Sequence, residues 1–213
     1  MDAAVAERSL RDVAKANRFF GGTRAAMAEL DAALVTMPPG PVTLLDVGSG
    51  LGDIPARARA CAAGRGRSLT AIGLESSAAL ASVSHSPTLS MVLGDALRLP
   101  FRSRSVDVVL CSQLLHHFEW QDAIVVLCEM DRVARHRVIV SDLRRSWLGA
   151  AGIWLASFPL GFHPVSRHDG AVSVMRGFTR RELGRLAASV TTSAPVLRQR
   201  PLFRVSASWT PRP

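Results

Sequence analysis

The segment LLDVGSGLGDIP at 44–55 concentrates residues able to do binding chemistry. An apolar run ends in Asp46 and passes into Gly48, Gly50 and Gly52 before a helical stretch begins. Glycines at such a turn let the backbone approach a ligand closely, with helix N–H groups aimed at it. The spacing is G-x-G-x-G, bracketed by Asp46 and Asp53. Two carboxylates would repel a pyrophosphate, so the loop suits a ligand with an amino group and a positive centre. Glu75 closes the second apolar run and can accept both hydroxyls of a ribose. Asp95, in LGDALRLPF (93–101), follows the third run and can accept a hydrogen bond from an adenine amino group.

The candidate proton carriers are histidines: His85, His116, His117, His136, His163 and His168. His116 and His117 fall one step past the fourth apolar run, where either can deprotonate a phenol or hydroxyl. The alternative is that the His-His-Phe turn only packs or caps the next helix. His168 has Asp169 beside it to orient it as a base, or the pair is a solvated turn. Cys61, Cys111 and Cys128 form neither a zinc knuckle nor a CxxC pair and read as small core residues. No metal-ligand cluster is expected.

These residues need a scaffold that brings strand ends together. Apolar runs recur at 42–47, 69–74, 88–93, 106–111 and 137–142. They are continuous, as in strands buried on both faces of a parallel sheet. Helical stretches at 56–63, with Pro55 in the first turn, and at 121–135 alternate with them. This pattern predicts a doubly wound α/β sheet. The N-terminal residues predict two helices broken at Gly21-Gly22. Trp147 to Phe162 is a run of 16 uncharged residues. It is short of the roughly 20 that a membrane span needs, and reads either as an apolar lid or pocket wall or as a core helix. A helix at 179–189, with Thr179 and Glu182 spaced as a capping box, leads into two antiparallel strands.

The acidic strand ends together with the glycine loop resemble the Rossmann-like (class I) S-adenosylmethionine-dependent methyltransferases, in particular the small-molecule branch of ubiquinone/menaquinone-type enzymes. The matching segments are LLDVGSGLGD, Glu75, Gly94-Asp95-Ala96 and VDVVLCSQLLHHF (106–118). The resemblance implies a seven-stranded sheet, mostly parallel with an antiparallel C-terminal strand, and an N-terminal helical cap. It implies one domain over 1–213, divided into a cap (1–38), a cofactor-binding core (40–142), an apolar lid (143–178) and a final helix with a strand hairpin (179–213). S-adenosyl-L-methionine would be the cofactor. Asp46 and the backbone of Gly48, Ser49, Gly50 and Gly52 would hold its methionine end, Glu75 the ribose, and Asp95 and Ala96 the adenine. Cys111 and Ser112 would lie near the sulfonium, and Arg18 could reach cofactor or substrate.

Where amino-methylating relatives carry [ND]PPY this chain has SQLLHH, and no cysteine stands in the context that RNA cytosine enzymes need. The net charge of +9 would suit a polyanion, but of the 26 basic residues only Lys15 is lysine, which points to coding bias toward arginine. A small molecule is the expected partner, and nucleic acid is not. Trp147, Trp154, Phe158 and Phe162 suggest a hydrophobic acceptor. The expected reaction is O-methylation of a phenol, quinone or polyketide-like metabolite of secondary metabolism. C-methylation, a catalytically silent cofactor-binding scaffold and a nicotinamide-dependent oxidoreductase are the rivals. The N-terminus has no apolar core of the signal-peptide kind, so the expected compartment is the cytoplasm, for a monomer or homodimer.

Overall fold

Adjacent apolar residues of a strand point to opposite faces, and both faces are buried here. Leu44 packs with Leu30, Ala58 and Ile139 on one side of the sheet, and its neighbour Leu45 packs with Leu127, Met130 and Leu186 on the other. The computed structural model describes residues 3–78 and 89–212. His85 and Thr88, where the third strand was expected to start, lie outside the described residues.

The strands are β1 (Val42–Val47), β2 (Leu69–Glu75), β3 (Ser90–Leu93), β4 (Val106–Ser112), β5 (Ala134–Leu143), β6 (Val196–Arg200) and β7 (Arg204–Trp209). They form one sheet in the order β3-β2-β1-β4-β5-β7-β6. β1 to β5 are mutually parallel, and β7 runs antiparallel to both β5 and β6. Strand order reverses between β1 and β4, so a crevice opens there beyond the carboxyl ends of the strands. The expected doubly wound sheet and C-terminal antiparallel pair are both present. β5 begins three residues before its expected apolar run and ends one residue after it, with Asp142 next to last.

The helices are α1 (Ala3–Phe19), α2 (Gly22–Thr36), α3 (Asp53–Ala63), α4 (Trp120–Val133), α5 (Trp147–Ala156), α6 (Pro164–Arg176) and α7 (Arg180–Val190). α1 and α2 meet at Gly21, whose φ of 76° makes the break that the glycine pair foretold. α7 begins with the expected capping box, Thr179 and Glu182 satisfying each other's backbone N–H groups. α5 has no polar face. Its Ala150 and Ile153 pack with Leu143 and Val174, while Trp147 and Leu148 on the other side are 79% and 77% exposed. Among the described residues no helix is long and apolar enough to cross a membrane.

Glu29 ties the N-terminal helices to the C-terminal hairpin. This buried α2 residue accepts hydrogen bonds from Arg198 (2.6 Å), from Nε and Nη2 of Arg200 (3.0 and 2.6 Å) and from the Ser206 hydroxyl (2.8 Å). Removing one member of a buried ionic cluster leaves its partners uncompensated, although both arginines keep some access to water. Glu29→Ala should therefore lower the unfolding free energy by about 2–4 kcal/mol, measured by urea denaturation. A loss well under 1 kcal/mol would mean the cluster is a solvated surface pair.

Candidate active site

β1 delivers the glycine loop to the crevice. The N–H groups of Gly48 and Ser49 donate to Leu74 O (2.9 and 3.2 Å), which pins the loop over the end of β2. Gly48 has φ 74°, and a β-carbon there would sit 2.9 Å from Leu114 Cδ2. At Gly50, with φ 54°, a β-carbon would meet nothing within 4 Å, so the loop's backbone faces open space at its apex. Gly50 N–H donates to Glu75 Oε1 at 2.5 Å.

Among the buried polar atoms at this end of the sheet that lack a hydrogen-bond partner are Asp46 Oδ1, Ser49 Oγ and Ser112 Oγ, beside the glycine loop. Buried polar groups are normally satisfied, so three orphans beside an open glycine loop fit a ligand that supplies donors and acceptors. Burial pushes the Asp46 carboxyl up to about 8, with Ser49 opposing and with Asp53 and Glu75 adding to the rise. Burial also raises Glu75, against the pull of the Gly50 and Ser76 N–H groups. A ligand ammonium would relieve this crowd of carboxyls.

The other expected cofactor contacts are spread more widely. Asp95 is exposed, and its Oδ1 accepts from Leu97 N at 2.9 Å within its own turn. Ala96 is buried beside Leu99. The Cys111 side chain belongs to the apolar core, and burial drives its thiol well above the ordinary range. Arg18 is exposed on α1 and does not line the nearby cavity, whereas its neighbour Asn17 does.

That cavity, about 220 Å³, lies between α1, the turn after β4, α5 and α6. Val13, Ala16, Leu143, Ile153 and Phe162 form an apolar wall, and Gln113, His116, Ser166 and Arg204 add polar groups. A larger open depression of about 440 Å³ between α3 and β2 is lined by Arg59, Arg67 and Leu69, at the opposite end of the strands and without a carboxylate or histidine.

His116 sits on the short turn Leu115–His117 that follows β4. Its Nδ1 lies 2.7 Å from Asp142 Oδ1, and its backbone N–H donates to Asp142 Oδ2 at 3.2 Å. Leu143 N–H donates to Asp142 Oδ1 at 2.7 Å. Full burial would raise the Asp142 carboxyl, but the charge and hydrogen bond of His116 with the backbone donors hold it below its ordinary value. The His117 ring tilts against His116 with centroids 4.2 Å apart. Loss of water around that ring, and then the neighbouring His116, lower its pKa. His168 is exposed and outside the cavity lining, although Asp169 beside it is part of the lining.

Two residues escaped the sequence reading. Asp142 ends an apolar strand as Asp46 and Glu75 do, and that shared position was the available signal. Arg204 had none, being one arginine in a chain full of them. Among the described residues no group of His, Cys, Asp and Glu side chains could hold a metal ion.

An aspartate that keeps its proton in the folded chain to about pH 8, against 3.8 ordinarily, loses it first in the unfolded chain. Native stability then falls as pH rises from about 4 to 8 and levels off above. The melting temperature of the ligand-free wild type should drop more than that of Asp46→Asn over this window. Parallel curves would show that Asp46 is already ionised in the native protein.

Residues 45–140 match a family model described as a methyltransferase domain. No curated protein matches the sequence. Among solved structures, a methyltransferase assigned to an antibiotic biosynthesis pathway of Anabaena variabilis superposes with TM-score 0.58 at 18% identity, over 83% of this chain and 66% of that chain, just under two thirds of it. Magnesium protoporphyrin IX methyltransferase of Synechocystis PCC 6803, with bound S-adenosylhomocysteine, gives 0.62 at 13% identity over 94% of this chain and 87% of that one. An S-adenosylmethionine-dependent methyltransferase of Aquifex aeolicus gives 0.64 at 10% identity over 99% and 98%. Such identities speak for a shared fold, and none of these matches singles out the ubiquinone/menaquinone-type branch. Residues 45–140, which build the glycine loop, β4 and most of β5, thus match a methyltransferase domain, and the chain shares the fold of solved S-adenosylmethionine-dependent methyltransferases.

Proposed function

We propose that this enzyme methylates an oxygen of a small lipophilic acceptor, a phenol or a related quinone- or polyketide-derived hydroxyl of secondary metabolism, with His116 as the base. The observation that supports this reading above others is the buried His116–Asp142 pair on the wall of an apolar cavity. The cofactor, when bound, supplies an electrophilic methyl group on a sulfonium. Asp46 and the loop from Gly48 to Gly52, including Ser49, would hold its methionine end, Glu75 the ribose, and Asp95 and Ala96 the adenine. Ser112 and the Cys111 backbone would lie near the sulfur.

Displacement at a methyl group needs alignment and, for a hydroxyl acceptor, removal of a proton. With Nδ1–H donated to Asp142, the lone pair of His116 is on Nε2, the nitrogen left to take the acceptor's proton. Asp142 is a positioning residue: it fixes the tautomer and stabilises the imidazolium once formed. Ile153 and Phe162 make the wall apolar and favour an apolar ring. A C-methylation that begins by ionising an enol or phenol could use the same base. A silent scaffold has no use for a buried His–Asp pair that leaves one ring nitrogen open to a cavity, which favours an active enzyme.

His116→Gln should lower kcat by about 10²- to 10⁴-fold while leaving the affinity for S-adenosylmethionine within about twofold of wild type, read as S-adenosylhomocysteine formed over a panel of phenols. Asp142→Asn should fall in the same range, because the amide allows the wrong tautomer. Full turnover in both variants would remove the base assignment. In titration calorimetry near pH 7, cofactor binding should release a proton from Asp46, whose carboxyl starts near 8 and is driven to ionise by the ligand ammonium. The enthalpy should therefore vary with buffer for the wild type more than for Asp46→Asn, and equal buffer dependence would refute the assignment.

A further inference from the structure

We propose that the acceptor is an acid, a single ring carrying a carboxylate, and that the Arg204 guanidinium holds this carboxylate in the cavity while His116 attends to the hydroxyl. The inference rests on the methyl-transfer reading and names the substrate class of the same site.

Arg204 opens β7 opposite Leu143, one residue beyond Asp142, and is only 2% exposed. Its Nε donates to Phe20 O at 3.0 Å, at the joint between α1 and α2. Among the described residues, no ion pair is formed by Arg204, and neither Nη atom has a hydrogen-bond partner. Asp142 acts on it only through space, since the Asp142 oxygens are taken by His116 and the backbone. Loss of water lowers even this guanidinium, to about 10. A buried charge with no direct ion-pair partner is unfavourable, and this one borders a cavity. An anionic ligand group supplies the missing partner, and the planar fork of arginine matches a carboxylate with two parallel N–H···O bonds.

Other groups agree. Gln113 Nε2 and Ser166 Oγ are also buried without a partner, and both residues line this cavity. Amide N–H, hydroxyl and guanidinium together offer donors, as a ligand rich in acceptor oxygens requires. Two acids share the lining: Asp12 already accepts from His163 N at 2.9 Å, and Asp169 is exposed. They disfavour an anion on their side and leave Arg204 as its seat. Size sets a further limit. An engineered cavity of about 150 Å³ holds benzene, so about 220 Å³ accommodates one substituted ring.

The test uses the full chain loaded with S-adenosylhomocysteine and two probes of one shape, 4-hydroxybenzoate and 4-hydroxybenzamide, with calorimetry or ligand-observed NMR as readout. The wild type should bind the carboxylate about 10- to 100-fold more tightly than the amide. Arg204→Met should abolish that preference while keeping the affinity for S-adenosylhomocysteine, and Arg204→Lys should retain part of it. Equal binding of the two probes by the wild type, a preference that survives Arg204→Met, or no binding of either probe overturns the proposal. If Arg204→Met does not fold, the wild-type ratio and its reduction in Arg204→Lys still decide. Failure of the methyl-transfer reading would show separately, as absence of S-adenosylhomocysteine binding in the wild type.

Discussion

A carboxylate with no access to water stays ionised only if its surroundings replace the water. Asp142 meets that condition through His116 and two backbone N–H groups, and much of the active end of the molecule follows from it. The donors come from the turn after β4 and from the next residue of β5, so the bonds that keep the charge also fix the turn. His116 is thereby held with one ring nitrogen committed. The same turn carries Gln113 and Leu114, and Leu114 packs where a side chain at Gly48 would stand. The proton-handling side and the glycine-loop side of the crevice thus share one packed segment.

The strands explain why charges gather here. Parallel strands all end on the same side, and where the order reverses between β1 and β4 the flanking loops diverge. Asp46, Glu75 and Asp142 each terminate an apolar strand, so the sheet's topology brings together acids far apart in sequence. Their environments then separate them. Asp46 lacks a donor on Oδ1 and is pushed up by burial, whereas Asp142 is surrounded by donors and held low despite burial. One suits a ligand that brings its own positive charge; the other serves a histidine already present.

The N-terminal helices and the α5–α6 pair turn this open sheet end into an enclosed site. Glu29, gripped by Arg198 and Arg200, holds α2 against the hairpin, and Thr23 on the same helix donates to Asp53 beside the glycine loop. α5 is apolar on every side: Ile153 lines the cavity, while Trp147 and Leu148 are exposed.

The sequence by itself determined the doubly wound sheet, the glycine loop and the acidic strand ends, because these depend on local rules: continuous apolar runs, glycine at left-handed turns, and acids at fixed offsets. The break at Gly21-Gly22 and the Thr179–Glu182 cap were legible for the same reason. Only the tertiary structure decided which of His116, His117 and His168 is held by a buried carboxylate. His116 is buried and reaches Asp142, a residue 26 positions away, whereas His168 is exposed. Only the tertiary structure, likewise, distinguished Arg204 from the other arginines, since burial and the lack of a direct ion pair among the described residues are properties of the packing around a side chain and leave no mark on its neighbours in sequence.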